Sequence, residues 1–197
     1  ALPIYALYPI IHMSADNFEF AFTHSDKVYT EEHYSFVNGQ NTIHGGTHLA
    51  GFREALVKVL KDFYKKDYEP ADIRQGLVAA ISLRIEEPVF DSQTKTKLTS
   101  TNMKPDGSGT AVKTFIGDIV RKNLDDYLHI NTETAELILQ KIVRNEKEHK
   151  GMQNIRKLAK ESSKKVSLTN KKLSTIQQVS QNAGKPETFE PYLPNLL

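Results

Sequence analysis

The polar run Ser92-Gln93-Thr94-Lys95-Thr96-Lys97 carries the side chains best suited to chemistry in this chain. An amide and an ammonium two residues apart both donate hydrogen bonds, which suits an anion such as a phosphate. Lysines in loops are more often simply solvated, so residue type alone leaves both readings open. Two other segments look chemical and fit less well. Gly107-Ser-Gly-Thr-Ala-Val-Lys113-Thr114 resembles a phosphate-binding loop, but that motif needs Gly directly before the Lys, where Val112 stands. His44 and His48 are four apart, as in a zinc-binding helix. Gly45-Gly46 between them opposes a helix, and the glutamate base of that motif is missing. The other five histidines are scattered. The absence of cysteine removes disulfides, zinc–thiolate sites and thiol catalysis.

These residues need regular structure to hold them. Phe18, Phe20 and Phe22 alternate with Glu19 and Ala21, the period of a half-buried strand. A second strand is predicted over His33–Val37, ending at the turn-prone Asn38-Gly39. Gly45-Gly46 permits positive φ, and Thr47 is a candidate N-cap. Phe52, Leu56, Val59, Leu60 and Phe63 then fall at helical spacing, predicting a helix from about Leu49 to Lys65. Leu77–Ile85 reads as a buried strand closed by Glu86-Glu87-Pro88. A polar loop of 19 residues, Asp91–Gly109, follows; loops that long inside a compact domain are usually functional or disordered. Helices are predicted from about Thr110 and from about Asn131. The tail from Ser174 lacks periodicity and reads as extended or disordered.

The chain has 197 residues, 39% hydrophobic and 25% charged, as in a globular protein of one domain with an appendage or two small ones. Its net charge of +2 conceals an asymmetry. Lys141–Lys172 holds 11 basic and 3 acidic residues, while the rest holds 15 basic and 21 acidic. A basic arm on a mildly acidic body fits a nearby polyanion or a solvated helix face. No apolar run reaches a membrane span of about 20 residues. The start lacks the basic region of a signal peptide. It also lacks an initiator Met, so a segment of a longer protein is expected.

Three blocks carry a resemblance. Tyr34–His48, continued by Gly51-Phe52-Arg53-Glu54-Ala55, is the first. Asp72-Ile73-Arg74-Gln75-Gly76-Leu77-Val78-Ala79-Ala80-Ile81-Ser82 is the second, and Glu87–Leu98, which contains Gln93-Thr94-Lys95, is the third. Together they resemble the second domain of the ATPase (B) subunits of bacterial type IIA DNA topoisomerases, gyrase and topoisomerase IV, with details most similar to topoisomerase IV. The likeness runs from about Leu7 to Lys172. It implies an α/β fold of transducer type: a two-layer, four-stranded sheet backed by helices, followed by a basic helical arm. The expected organisation is a transducer domain over 1–137, an arm over 138–172 leading toward the DNA-cleavage core, and a tail over 173–197.

The resemblance also implies a division of labour. A preceding GHKL domain binds ATP and Mg²⁺ and dimerises the full-length subunit. The transducer adds one lysine from a Gln-Thr-Lys loop to the ATP γ-phosphate; by position this is Lys95, with Gln93 beside it. Arg53 matches a helix whose arginines face the transported duplex and is the candidate DNA contact. DNA and the topoisomerase A subunit, in a heterotetramer, are the implied partners, in the bacterial cytoplasm with the chromosome. No metal site and no membrane contact are expected of this segment, which is expected to be monomeric and catalytically incomplete alone. Two alternatives are kept: the transducer of another GHKL ATPase of mismatch-repair type, and a freestanding nucleic-acid-binding module.

Overall fold

The computed structural model describes residues 5–183, with side chains through 164. Five strands and four helices follow in the order β1 (Ile11–Ala15), β2 (Phe18–His24), β3 (Glu32–Val37), β4 (Gln40–Asn41), α1 (Thr47–Tyr64), α2 (Pro70–Arg74), β5 (Leu77–Leu83), α3 (Val112–Ile130) and α4 (Thr132–Ala183). They form a single mixed sheet ordered β1-β2-β5-β3-β4. The sheet thus has five strands, not the four that the resemblance implies. The extra pairing comes from the turn at Asn38 and Gly39, both at positive φ, which folds Gln40–Asn41 back onto β3.

β5 lies between β2, antiparallel, and β3, parallel. A parallel partner requires a crossover, and α1 and α2 provide it between β3 and β5. The alternation in β2 plays out as its spacing predicts: Phe18, Phe20 and Phe22 are buried, Glu19 is exposed and Ala21 half-buried. The phenylalanines meet α1 through Phe52, whose ring centroid lies 5.6 Å from that of Phe20. α3 contributes Val112, Ile116, Val120, Leu124 and Leu128 to the same core. Each such side chain stabilises the fold by about 1.5–3 kcal/mol on burial.

α1 and α3 pack closely because Gly51 has no side chain: a Cβ there would sit 3.1 Å from the Lys113 Cα. Helix α4 begins at Thr132, one residue past the start predicted at Asn131. Its opening turns belong to the core through Ala135, Ile138 and Ile142. The Tyr64 hydroxyl donates to the Ala135 carbonyl at 2.5 Å, and buried Asn145 donates to the carbonyls of Asp72 and Gln75 at 2.8 and 3.0 Å.

The first compact unit therefore runs to His149, with Lys150–Leu197 as the second. Positions 137 and 138, where the arm is expected to begin, lie within α4 beside the core residues Ala135, Ile138 and Ile142. In the second unit the helix continues to Ala183, so residues 173–183 are helical where an extended or disordered tail is expected. The remainder of that tail, 184–197, lies outside the described residues.

Candidate functional site

The loop after β5 is anchored at its base and free at its tip. Phe90 and Leu98 form an antiparallel bridge. The Asp91 amide donates to the Lys97 carbonyl at 3.1 Å, and the Thr99 amide to the Val89 carbonyl at 2.8 Å. Leu98 is completely buried and fixes the base in the core. At the tip, the Lys95 amide donates to the Ser92 carbonyl at 3.0 Å, closing a turn. The Ser92 and Thr94 hydroxyls are 2.7 Å apart. The stretch expected to be functional or disordered is ordered from Val89 to Ser100 by these bonds.

Lys95 itself adopts φ 54, in the left-handed region. A non-glycine residue there costs about 1–2 kcal/mol, and such residues cluster where a site requires an unusual backbone. Gln93 and Lys95 are both exposed. Among the described residues neither side chain makes a hydrogen bond or ion pair, although the loop beneath is well bonded. An unpartnered ammonium and amide on an anchored turn suit a phosphate oxygen. Among the described residues no group of three or more His, Cys, Asp or Glu lies together.

Arg53 lies on α1 and is paired with Glu31, not with the loop. Glu31 also lies 3.4 Å from Arg74 and 3.3 Å from His33. Burial, and then repulsion from Arg74, hold the Arg53 pKa below its ordinary value. Two guanidiniums thus share one carboxylate, and the Arg53 Nε is buried without a hydrogen bond while the Arg74 Nε faces Glu31 only at ion-pair distance. No spacing in the sequence marks this cluster, because its members come from the β2–β3 connection, β3, α1 and α2.

The other sequence candidates resolve into structural roles. His48 is buried, with Nε2 3.1 Å from the Thr42 hydroxyl, while His44 is exposed. Burial pushes His48 down to about 4. Gly107 closes a turn with Lys104, and α3 begins only at Val112. Thr47 is not the N-cap: Gly46 holds that place, and the Thr47 hydroxyl donates to the Ser100 carbonyl at 2.7 Å.

This chain and its fold have counterparts among known proteins. The B subunit of DNA topoisomerase 4 from Borreliella burgdorferi is 42% identical over 167 residues, 85% of this chain and 26% of that protein. The B subunit of DNA gyrase from Cytophaga hutchinsonii is 38% identical over 124 residues, 58% of this chain and 24% of its own length. The chain thus spans about a quarter of these curated relatives. Among solved structures, the 43K ATPase domain of Thermus thermophilus gyrase B superposes with a TM-score of 0.60 at 26% identity, covering 78% of this chain and 42% of that one. The ATP binding domain of Francisella tularensis topoisomerase IV shares the fold, with a TM-score of 0.58 at 22% identity over 71% of this chain and 39% of that one. The family model described as DNA gyrase B matches residues 8–158, and the chain belongs to that family.

Proposed function

We propose that this chain is the transducer region of the ATP-hydrolysing subunit of a type IIA DNA topoisomerase, of topoisomerase IV or gyrase type. In this reading it couples ATP binding and hydrolysis in a neighbouring GHKL domain to DNA strand passage. The observation that carries the proposal is the Gln93–Lys95 tip: exposed, unpartnered, and held on a bonded base by a strained turn. The names of the relatives, B subunits of topoisomerase 4 and of gyrase, support the enzyme class.

ATP would bring three phosphates whose charge grows at the leaving group during hydrolysis. Lys95 would place its ammonium at the γ-phosphate, with the Gln93 amide as a second donor. The adenine and Mg²⁺ would be bound mainly by the GHKL domain. When the γ-phosphate departs, Lys95 loses its partner, which makes the tip a sensor of nucleotide state. Duplex DNA, the topoisomerase A subunit and a second copy of the full-length subunit are the partners in this reading, with Arg53 as the candidate DNA contact.

The test is Lys95→Ala in the full-length subunit with its A subunit present. Hydrolysis is expected to fall about 100-fold, the scale of one lost charge-stabilising donor, with circular dichroism unchanged. Unaltered hydrolysis would overturn the assignment of Lys95.

A further inference from the structure

The base of the Gln93–Lys95 loop is joined to the start of α1 by four hydrogen bonds. The His44 amide donates to the Thr96 carbonyl at 2.9 Å and the Leu98 amide to the Gly45 carbonyl at 3.0 Å. The Thr47 amide donates to the Leu98 carbonyl at 3.1 Å. The Thr47 hydroxyl adds the bond to the Ser100 carbonyl at 2.7 Å. Gly46 and Leu98 are thereby paired as a parallel bridge. The approach is close enough that any Cβ on Gly46 would overlap the Leu98 backbone, and Gly46 sits at φ 137, which only glycine adopts without strain.

This junction has a mechanical consequence. Thr47 is the first residue of α1, and Leu98 is locked in the core, so the junction is rigid on both sides. α1 is an 18-residue helix that carries Phe52 in the core and Arg53 beside it. A rigid helix held at its first turn follows the element that holds it, and packed cores convert small shifts at one site into displacement of a whole element. Thr47 stands just inside the helix, past the Gly46 N-cap, and its hydroxyl ties the first turn to the loop.

We propose that the paired segments Gly45–Thr47 and Thr96–Ser100 form a latch that passes movement of the Gln93–Lys95 tip to α1, with Thr47 as its positioning residue. The inference rests on the reading of Lys95 given above and adds the route by which that contact reaches the rest of the domain. Thr47 touches neither nucleotide nor DNA in this scheme.

Thr47→Val in the full-length subunit, assayed with its A subunit, removes the hydroxyl bond and keeps the side-chain shape. Three quantities are read: affinity for a non-hydrolysable ATP analogue, ATP hydrolysis, and strand-passage events per ATP hydrolysed. Nucleotide affinity and hydrolysis are expected to stay within about twofold, while passage per ATP falls about tenfold, within the usual range of coupling between sites. Thr47→Ser, which retains the hydroxyl, is expected to restore passage. Gly46→Ala, which cannot hold the bridge, is expected to uncouple more strongly; if it fails to fold, the Val and Ser pair still decides. Unchanged passage per ATP in Thr47→Val, with Lys95→Ala inactive, overturns the latch and leaves the Lys95 reading standing. Unchanged hydrolysis in Lys95→Ala overturns both.

Discussion

His24 is completely buried between two oxygens: the Tyr8 hydroxyl lies 2.6 Å from Nδ1 and the Ile73 carbonyl 2.8 Å from Nε2. A carbonyl only accepts, so Nε2 carries the proton and Nδ1 accepts from Tyr8. The neutral ring satisfies both partners, whereas a second proton would place a charge in a fully buried site. Burial accordingly pushes the His24 pKa down to about 4. The unfolded chain binds this proton near pH 6.5, so it holds more protons than the folded chain between these values. The stabilisation is therefore fully present above about pH 6.5 and is lost as pH falls toward 4, about 3 kcal/mol for His24 alone. His48 acts in the same direction. Asp26, held down first by its hydrogen bond from Lys141, has the acidic pattern and loses its contribution only below the ordinary carboxylate range. Urea unfolding at pH 7 and pH 4.5 checks this: the midpoint is expected to drop, and His24→Gln to drop less between the same two values. A midpoint that does not move would show that His24 is protonated inside the fold.

Among the elements, the contact of α1 with α3 depends on one missing side chain. A Cβ on Gly51 would stand 3.1 Å from the Lys113 Cα, which belongs to a backbone and yields little. Gly51→Val must push the two helices apart, and overpacking of this kind costs about 1–3 kcal/mol. Thermal unfolding of the Gly51→Val chain is expected to show a lower Tm; an unchanged Tm would mean that the helices slide freely. The helices themselves are legible in the sequence, because Phe52, Leu56 and Leu60, and Val112, Ile116 and Val120, repeat at helical spacing. The β2 strand is legible from its alternating phenylalanines. β1 is not: Ile11-His12-Met13-Ser14-Ala15 offers one strong apolar residue, and its strand character comes from pairing with β2. β4 is two residues long and α2 five, too short for any period to show. Gln93 and Lys95 are singled out as candidates by family resemblance, but the pairing of Gly45–Thr47 with Thr96–Ser100 beneath them is not. Its bonds are mostly backbone bonds between segments about 50 residues apart, which side-chain pattern does not encode.

At the scale of the whole molecule, charge and length set what the isolated chain can bind. In the second unit, the exposed stretch Lys150–Lys164 carries Lys150, Arg156, Lys157, Lys160 and Lys164 against a single acid, Glu161. A freestanding nucleic-acid module would use such a row for tight, steeply salt-dependent binding. The chain spans only 26% of the Borreliella burgdorferi protein, and a transducer would meet DNA inside a dimer assembled mostly by other domains. Five cations on one helix then supply only the sequence-independent electrostatic term. The isolated chain is therefore expected to sediment as a monomer and to bind duplex DNA at physiological salt in the non-specific range, a Kd of about 10⁻⁴–10⁻⁶ M. Fluorescence anisotropy across a salt series, alongside sedimentation, reads both quantities. Nanomolar binding by the monomer would favour the freestanding module, and a stable dimer would show that the chain carries its own association surface.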